Sequence, residues 1–244
     1  MSLRPVPASA LRAGLADVAS LGGYFRLGDC VADPGPWRGV ATLYDSGTGL
    51  LDDIVEATGR RLRHHERRVA ASIVHQGFAA RLLSPQLGAI ALRGWVVDLP
   101  ARRTRWRLLD RHSLALAACE ARAWQGPPDA LLAYLLDDAF HEHLLPLEHA
   151  LRSSAKLPDG LLRGNVASVI ANGFRLLEPR LGAGWRDLTR IALDHRYLRG
   201  QGTLRDRPPP FVRRSCCLYY RVPGGGVCGD CVLAARPEDR GPPM

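Results

Sequence analysis

Residues 67–94 read RRVAASIVHQGFAARLLSPQLGAIALRG and contain the clearest helical pattern in the chain. Apolar residues recur every three or four positions, which places them on one face of a helix. They are Val69, Ile73, Val74, Phe78, Leu82 and Leu83. We predict a helix over residues 66–83 that ends at Ser84 and Pro85, because proline cannot continue the hydrogen bonding of a helix. Residues 87–99 then form a shorter apolar piece.

The same periodicity predicts further helices on both sides of this stretch. They cover residues 9–21, with Ser9 as the N-cap, and residues 50–63, 130–152, 161–177 and 185–197, with a kink or break at Pro146. From residue 22 to 45, short β-prone pieces at residues 24–27 and 40–44 suggest a small sheet element or loops. Residues 105–118 alternate well enough for one or two strands. We therefore predict an α+β fold that is mainly α-helical and has a small β element.

The composition changes after residue 199. Residues 199–214 contain the run Pro208, Pro209, Pro210, which predicts an extended linker. The segment SCCLYYRVPGGGVCGDCVL follows at residues 215–233. We predict a helical, ligand-docking domain over residues 1–205 and a small cysteine-containing segment over residues 206–244.

Four cysteines of this segment form the pattern CC-x10-C-x2-C: Cys216, Cys217, Cys228 and Cys231. Two residues separate the last two cysteines, so both sulfurs can reach one metal ion, and Gly229 lets the backbone fold tightly around it. Residues 218–222 are β-prone and residues 223–226 can reverse the chain. A hairpin would therefore bring the adjacent pair back to the CGDC turn, and we predict that all four cysteines bind metal.

Four thiolates suit either tetrahedral zinc or an iron–sulfur cluster. Structural zinc sites usually use two turns of the C-x2–4-C type, whereas half of this pattern is a directly adjacent pair. Side chains of adjacent residues diverge in extended backbone, which is awkward for one ion and easier for a cluster in which two irons each need two sulfurs. The spacing favours a cluster and leaves, as the alternative, a structural zinc module on a ligand- or nucleic-acid-binding protein.

The pattern CC-x10-C-x2-C resembles the C-terminal signature of the FhuF-type ferric siderophore reductases. Residues 67–94 and the stretch LPDGLLRGNVASVIANGFRLL at residues 157–177 also resemble helical segments of these reductases and of the C-terminal region of siderophore synthetases. The resemblance implies a [2Fe–2S] cluster on Cys216, Cys217, Cys228 and Cys231. No motif of the family is evident in residues 1–60.

The resemblance also implies the activity and the partners. It predicts one-electron reduction of a cytoplasmic ferric siderophore of hydroxamate type, with electrons from a ferredoxin, a flavodoxin or a flavin reductase. The chain has no G-x-G-x-x-G between a strand and a helix, and the glycines at residues 224–226 read as a turn between cysteines, so a separate donor is expected. An electron carrier or iron–sulfur sensor without a siderophore substrate is the other alternative.

Composition restricts location and partners. We find no run of eighteen apolar residues and no secretory signal in residues 1–22, and six cysteines are too few for a disulfide scaffold. These features predict a cytoplasmic protein.

The net charge of +9 comes almost wholly from scattered arginines, since Lys156 is the only lysine. We expect no nucleic-acid partner; the charge also suits peripheral contact with the inner face of the cell membrane.

Other polar clusters give weaker signals. We predict that Cys30 and Cys119 are small buried or incidental residues rather than ligands. His141, His143, His149 and Glu142 lack the i, i+4 histidine pair of a zinc helix and are predicted to lie on solvated helix faces. His64 and His65, among neighbouring arginines, are predicted to form a solvated basic face or to dock an acidic donor.

Tyr219, Tyr220 and Arg221 are predicted to pack the cysteine segment on the main domain or to support the cluster. Arg102, Arg103, Arg105 and Arg107 around Trp106 predict a basic edge strand.

Overall fold

Two long helices form the centre of the protein. A computed structural model describes residues 3–109 and 113–234. Helix α3 (Arg67–Arg93) and helix α6 (Asp159–Leu176) pack along each other, and both contribute to one continuous apolar core. Phe78, Leu83 and Phe174 are at most 2% exposed within it. The predicted α+β, mainly helical class is therefore confirmed.

Shorter helices surround this pair. They are α1 (Ala8–Ala19), α2 (Leu50–Arg61), α4 (Pro128–Asp138), α5 (Leu145–Arg152), α7 (Glu178–Leu181) and α8 (Gly184–Leu193). Within the described residues, none of the helices has the length and apolar character needed to cross a membrane.

Helix α3 continues through Pro85, where the sequence predicts its end. Packing overrides the cost of the proline, because Ser84, Pro85 and Gln86 are all buried against the sheets. The Gln86 side chain accepts a hydrogen bond from the Val97 N–H and donates one to the Val97 carbonyl, both at 2.7 Å. The predicted apolar piece over residues 87–99 is therefore the last turns of α3 followed by strand β4 (Trp95–Asp98).

The strands form small sheets beside the helices. A three-stranded sheet has the order β1-β7-β4, from β1 (Arg4–Pro5), β4 (Trp95–Asp98) and β7 (Arg122–Gln125). A four-stranded sheet has the order β2-β6-β5-β3, from β2 (Gly28–Asp29), β3 (Arg38–Gly39), β5 (Thr104–Leu108) and β6 (Leu114–Ala118). Strands β2 and β6 are parallel, and the other pairs are antiparallel. The predicted strands in residues 105–118 are confirmed as the hairpin β5–β6.

The N-terminal segment from residue 22 to 45 supplies both the short strands β2 and β3 and loops. The β-prone pieces at residues 24–27 and 40–44 include the 3₁₀ turns Gly23–Phe25 and Val40–Leu43, from which Phe25, Val40 and Leu43 bury their side chains. The first turn packs against α3 and the second against α2 and β5, so burial overrides local β propensity there. The predicted N-cap is wrong: Ser9 lies inside α1, and the N-cap is Pro7, which makes no side-chain cap hydrogen bond.

The predicted helix over residues 130–152 is interrupted before Pro146. A π-helix, Ala139–Leu144, joins α4 to α5, and Pro146 lies in the first turn of α5, where its missing N–H costs little. The wider turn places His143 in the core. His143 Nε2 donates to the Leu99 carbonyl at 2.5 Å and Nδ1 accepts from the Tyr44 hydroxyl at 2.7 Å, an arrangement that suits the neutral imidazole.

Asp138 is expected to make stability depend on pH. Its burial, with the charges of Asp98 and Glu142 nearby, raises its pKa from 3.8 to about 6. Asp98 itself pairs with Arg103 and accepts from Tyr134. A carboxyl with a raised folded-state pKa binds more protons when folded, so its contribution to stability is lost as the pH rises from about 4 to 6.

We expect Asp138→Asn to flatten this slope and to raise the free energy of unfolding at pH 7 by about 1–2 kcal/mol, allowing for partial solvent exposure. Urea unfolding of both proteins at pH 4.5 and pH 7.5 measures the effect. An equal change in both proteins between the two pH values would contradict it.

Residues 199–214, predicted as an extended linker, form a hairpin packed on the helical domain. Strand β8 (Gly202–Leu204) pairs with β9 (Phe211–Arg213), and all three residues of β9 are buried. Strand β9 contacts α6. The proline run lies in the connection between the strands, so the chain enters the cysteine segment from a fixed strand.

Cys30 and Cys119 are neither buried nor incidental, because they form a disulfide across the parallel strands β2 and β6. The register pairs Asp29 with Ala118, which brings the next residues together with a Cα–Cα distance of 5.4 Å. Eighty-nine residues separate the two cysteines, a distance at which sequence spacing gives no pairing signal.

The long loop closed by this disulfide predicts a substantial effect on stability. We expect Cys30→Ser with Cys119→Ser to lower the free energy of unfolding by about 2–4 kcal/mol, because the unfolded chain regains conformational freedom. For a chain of this size the melting temperature should fall by roughly 4–16 °C. Thermal unfolding with and without a reductant measures it; a reductant that destabilises the double variant as much as the wild type would exclude the disulfide as the cause.

Candidate metal centre

The cysteine segment begins where strand β9 meets helix α6. The hydroxyl of Ser215 donates to the Gly160 carbonyl at 2.5 Å, in the first turn of α6. Gly164 lies one turn further, and a Cβ at this position would collide with the Ser215 hydroxyl. Glycine at residue 164 therefore leaves room for the Ser215 hydroxyl to bond to the Gly160 carbonyl, which holds the residue that precedes Cys216.

A buried polar contact attaches the adjacent cysteine pair to both central helices. Ser72 of α3 is fully buried and donates from its hydroxyl to the Cys217 carbonyl at 2.8 Å. Asn165 of α6 donates from Nδ2 to the Ser72 carbonyl and hydroxyl, both at 3.2 Å. The backbone at Cys217 is thus held by α3 directly and by α6 through Ser72.

The chain then reverses through a compact turn. Leu218 adopts a positive φ of 71°, and one 3₁₀ turn, Tyr219–Arg221, follows it. The predicted β-prone strand over residues 218–222 is therefore wrong, although the chain does return. Gly225 approaches the Tyr219 carbonyl so closely that a Cβ there would lie 2.7 Å from it, and Gly224 has a positive φ of 72°. The glycine run is the predicted turn.

The reversal brings the two halves of the cysteine pattern together. Cys217 Sγ lies 3.3 Å from Cys228 Sγ. Cys217 and Cys231 are buried, whereas Cys216 and Cys228 are half-buried. Backbone N–H groups donate to two of the sulfurs, from Leu218 to Cys216 at 3.3 Å and from Leu233 to Cys231 at 3.4 Å.

Electrostatics favours a thiolate at Cys217. The hydrogen bond from Cys228 is the largest influence and lowers the pKa of the Cys217 thiol to about 6, while burial opposes the change and Arg213 supports it. The same shared proton raises the pKa of Cys228 well above its usual value. Burial, with Cys217 and Cys231 nearby, raises the pKa of Cys216. Thiolates are the metal-binding form of cysteine, so one ligand is prepared at neutral pH.

A buried ion pair lies beside the sulfurs. Arg213 is 1% exposed and donates from Nη2 to Asp230 Oδ1 at 2.9 Å, and its backbone N–H donates to the Asp230 carbonyl at 3.1 Å. Nη1 donates to Asn165 Oδ1 at 3.2 Å. Asn172 of α6 donates to Asp230 Oδ2 at 3.4 Å. The CGDC turn is therefore held on α6 by the residue between its two cysteines.

These features fit a thiolate-ligated cluster. Two buried and two half-buried sulfurs face N–H donors and a fixed positive charge, the surroundings that lower the cost of burying negatively charged ligands. Cys216, Cys217, Cys228 and Cys231 would hold the cluster. Within residues 3–109 and 113–234, neither these four cysteines nor any other three or more His, Cys, Asp or Glu side chains are gathered closely enough to hold a single metal ion.

The histidine cluster is only partly as predicted. His149 and His141 are exposed, as predicted for solvated helix faces. His141 Nε2 shares a hydrogen bond with the Tyr197 hydroxyl at 3.1 Å. His143 is fully buried, which contradicts the prediction; the π-helix turns it toward Tyr44. Glu142 accepts from the Ala101 N–H at 2.9 Å.

The basic connection between α2 and α3 lies next to the cysteine segment. Glu66 forms ion pairs with Arg68 and with Arg221 of the segment, the latter at 3.0 Å, and His64 lies 3.8 Å from its carboxylate. Tyr219 packs against the core, so Tyr219 and Arg221 perform the predicted packing role. Tyr220 is 46% exposed. The predicted basic edge strand is wrong, because β5 lies between β6 and β3 in its sheet. Of the arginines around Trp106, Arg103 pairs with Asp98 and Arg107 with Asp33.

Sequence reasoning missed the residues that hold the segment. Arg213 lies in the predicted linker. Ser72 and Asn165 are polar residues within predicted helices, and neither belongs to a recognisable motif. Asp230 carries the only signal, because a carboxylate between two closely spaced ligands needs a positive partner. That partner cannot be identified from sequence separation.

Residues 213–233 match the family described as "FhuF 2Fe-2S C-terminal domain". The match begins at Arg213, the last residue of strand β9, and covers the whole CC-x10-C-x2-C pattern and the Arg213–Asp230 pair. It confirms the predicted resemblance and the predicted [2Fe–2S] cofactor. No curated protein matches the chain.

Proposed function

We propose that this chain, whose residues 213–233 form a FhuF-type [2Fe–2S] domain, is an oxidoreductase that reduces a ferric siderophore by one electron and releases iron(II). The observation that carries the proposal is the meeting of Cys217 and Cys228 at 3.3 Å in a segment fastened to α3 and α6. When bound, a [2Fe–2S] cluster takes up and gives up one electron at a time.

The energetics of the reaction suit such a cofactor. A siderophore holds iron(III) far more tightly than iron(II), and each tenfold preference lowers a one-electron potential by about 59 mV. Ten decades of preference correspond to roughly 0.6 V, which lies within the range of about −700 to +450 mV that iron–sulfur clusters cover. Weak binding of iron(II) then releases the metal.

We place the siderophore in a groove between α3 and α6. The groove has a volume of about 320 Å³ and is lined by Tyr24, Ile73, Gln76, Gly77, Asn172 and Leu176, among others. Asn172 lines the groove and also donates to Asp230 in the CGDC turn. A complex bound there would lie one side chain from the turn that carries Cys228 and Cys231. Tyr24 and Leu176 are more than half exposed at its rim, so they offer apolar contact.

The lining also suits the hydroxamate class. The walls consist of apolar, amide and hydroxyl side chains, with tyrosine as the only titratable type. Iron(III) with three singly charged hydroxamates is neutral, whereas three doubly charged catecholates leave three negative charges. A neutral complex loses less hydration in such a groove.

We place the electron donor at the basic connection between α2 and α3. Arg61 and Arg63 are exposed there, and Arg221 joins the connection to the cysteine segment through Glu66. A ferredoxin or flavodoxin with an acidic surface would be attracted to this patch, and its rate of electron transfer should fall as salt is raised. The cytoplasm, with contact to the inner membrane face, is the proposed location.

Stopped-flow mixing of the dithionite-reduced protein with ferric siderophores tests the function. The reduced cluster of protein purified without oxygen should be reoxidised in a single turnover on mixing with a ferric hydroxamate. An iron(II) chelator should then trap about one iron for each electron transferred. A reducible cluster that no ferric siderophore oxidises would leave an electron carrier or sensor. A colourless, zinc-containing protein would leave a structural module.

A groove variant separates binding from chemistry. Gly77 lies on the groove, and a Cβ there meets nothing within 4 Å, so Gly77→Trp should fold and fill the space. We expect kcat/KM for the ferric siderophore to fall at least about tenfold with the visible spectrum unchanged. Gly184→Trp, at another open glycine on α8, is the matched control and should retain activity.

A further inference from the structure

The Arg213–Asp230 ion pair is more deeply buried and has more hydrogen-bonding partners than attachment of a loop requires. Arg213 is 1% and Asp230 5% exposed, and burying a charged pair costs several kcal/mol that apolar packing would avoid. The arginine is held from two sides, by Asp230 and by Asn165. It therefore has one fixed position beside the cysteines.

The charge of Arg213 acts on the sulfurs. Burial by itself lowers the pKa of the guanidinium, but Asp230, Cys217 and Cys228 raise it more, so the net pKa lies above its usual value. Hydrogen bonds also link the guanidinium to the backbone of Cys217, from Arg213 to Asn165, from Asn165 to the Ser72 hydroxyl and from that hydroxyl to the Cys217 carbonyl. The guanidinium also keeps a buried Nε–H with no acceptor within the part of the chain that the structure describes.

A charge in this position has a defined consequence for a four-thiolate [2Fe–2S] site. Two ferric ions, two sulfides and four thiolates sum to a charge of about minus two, and one-electron reduction adds a further negative charge. Positive charge and N–H donors beside the sulfurs stabilise the reduced form more than the oxidised form, which raises the reduction potential. Asp230 acts in the opposite direction.

We propose that Arg213 is a positioning and tuning residue: held by Asp230 and Asn165, it fastens the CGDC turn to α6 and sets the reduction potential of the cluster on Cys216, Cys217, Cys228 and Cys231. The proposal rests on the cluster site of the proposed function. It does not require a siderophore as the substrate, so its test is independent of that part.

Redox titration of anaerobically purified variants, followed by visible absorption, tests the proposal. Arg213→Gln should make the one-electron reduction about tenfold less favourable, a fall of about 59 mV, and Asp230→Asn should shift it in the opposite direction. Arg221→Gln removes the same charge from the same segment at a 41% exposed side chain, and is expected to shift the equilibrium by less than about twofold because exposed charges are screened.

The signs of the potential shifts in Arg213→Gln and Asp230→Asn distinguish tuning of the reduction potential from a purely structural role of the ion pair. A merely structural pair would give both single variants lower cluster content without shifts of opposite sign. If Arg213→Gln does not retain the cluster, the double variant Arg213→Gln with Asp230→Asn, which leaves no unpaired buried charge, is compared with Asp230→Asn alone. A potential in the double variant equal to that of Asp230→Asn, or a shift in Arg213→Gln no larger than in Arg221→Gln, would overturn the proposal.

Discussion

Cys217→Ala is expected to abolish cluster binding. The wild-type protein should carry about two irons and two sulfides per chain. The variant loses the buried thiol that forms the 3.3 Å contact with Cys228 and that Arg213 favours as a thiolate. Remaining thiols cannot complete two sulfurs on each iron, so iron and sulfide should fall close to zero and the visible absorption should disappear. Parallel assays of iron, sulfide and zinc on anaerobically purified protein measure this.

Cys30→Ser with Cys119→Ser is the matched control for this experiment. Both cysteines are engaged in the disulfide between β2 and β6, and neither belongs to the CC-x10-C-x2-C pattern. The double variant should retain the full iron and sulfide content even though its stability falls. If Cys217→Ala keeps its cluster, the assignment of the four ligands is wrong; if wild-type protein contains one zinc and no sulfide, the cluster itself is excluded.

The helical skeleton and the metal-binding pattern were predictable because both depend on local spacing. A period of 3.6 residues marks α3 and α6, and the interval between Cys228 and Cys231 fits a chelating turn by itself. Pro85 shows the limit of local rules: the helix continues through it because Gln86 bonds to both backbone groups of Val97. Tertiary partners of that kind leave no trace in a sequence window.

The support of the site was unpredictable for a related reason. Ser72, Asn165, Arg213 and Cys217 meet through hydrogen bonds between residues 48 to 145 positions apart along the chain. Each looks ordinary in its own segment, and burial of Arg213 becomes evident only when strand β9 lies against α6. A polar residue is buried inside a protein where it finds a hydrogen-bonding partner. Contacts between residues far apart in sequence form only in the folded chain.

Beneath the cysteine segment, a second buried ionic group joins three helices. Glu148 of α5 is 1% exposed and accepts from Arg163 Nη1 of α6 at 2.5 Å, and His75 Nε2 of α3 lies 3.4 Å from the same oxygen. His75 follows Ser72 by one helical turn, and Arg163 precedes Asn165 by two residues. The residues that hold Cys217 and the residues of this group therefore lie on the same stretches of α3 and α6.

We expect Glu148→Ala to lower the free energy of unfolding by about 3–5 kcal/mol, because it leaves the Arg163 side chain, which is only 12% exposed, without its carboxylate. Asp187→Asn, which breaks the exposed Arg190–Asp187 pair on α8, is the control and should cost less than about 1 kcal/mol. Urea titration followed by circular dichroism and by the cluster absorption measures both effects. Because the cysteine segment is fastened to the helices that Glu148 joins, both signals should shift together to lower urea. A cluster transition that stays at its wild-type midpoint while the helices unfold earlier would show that the segment holds its cluster without the α3–α6 pair.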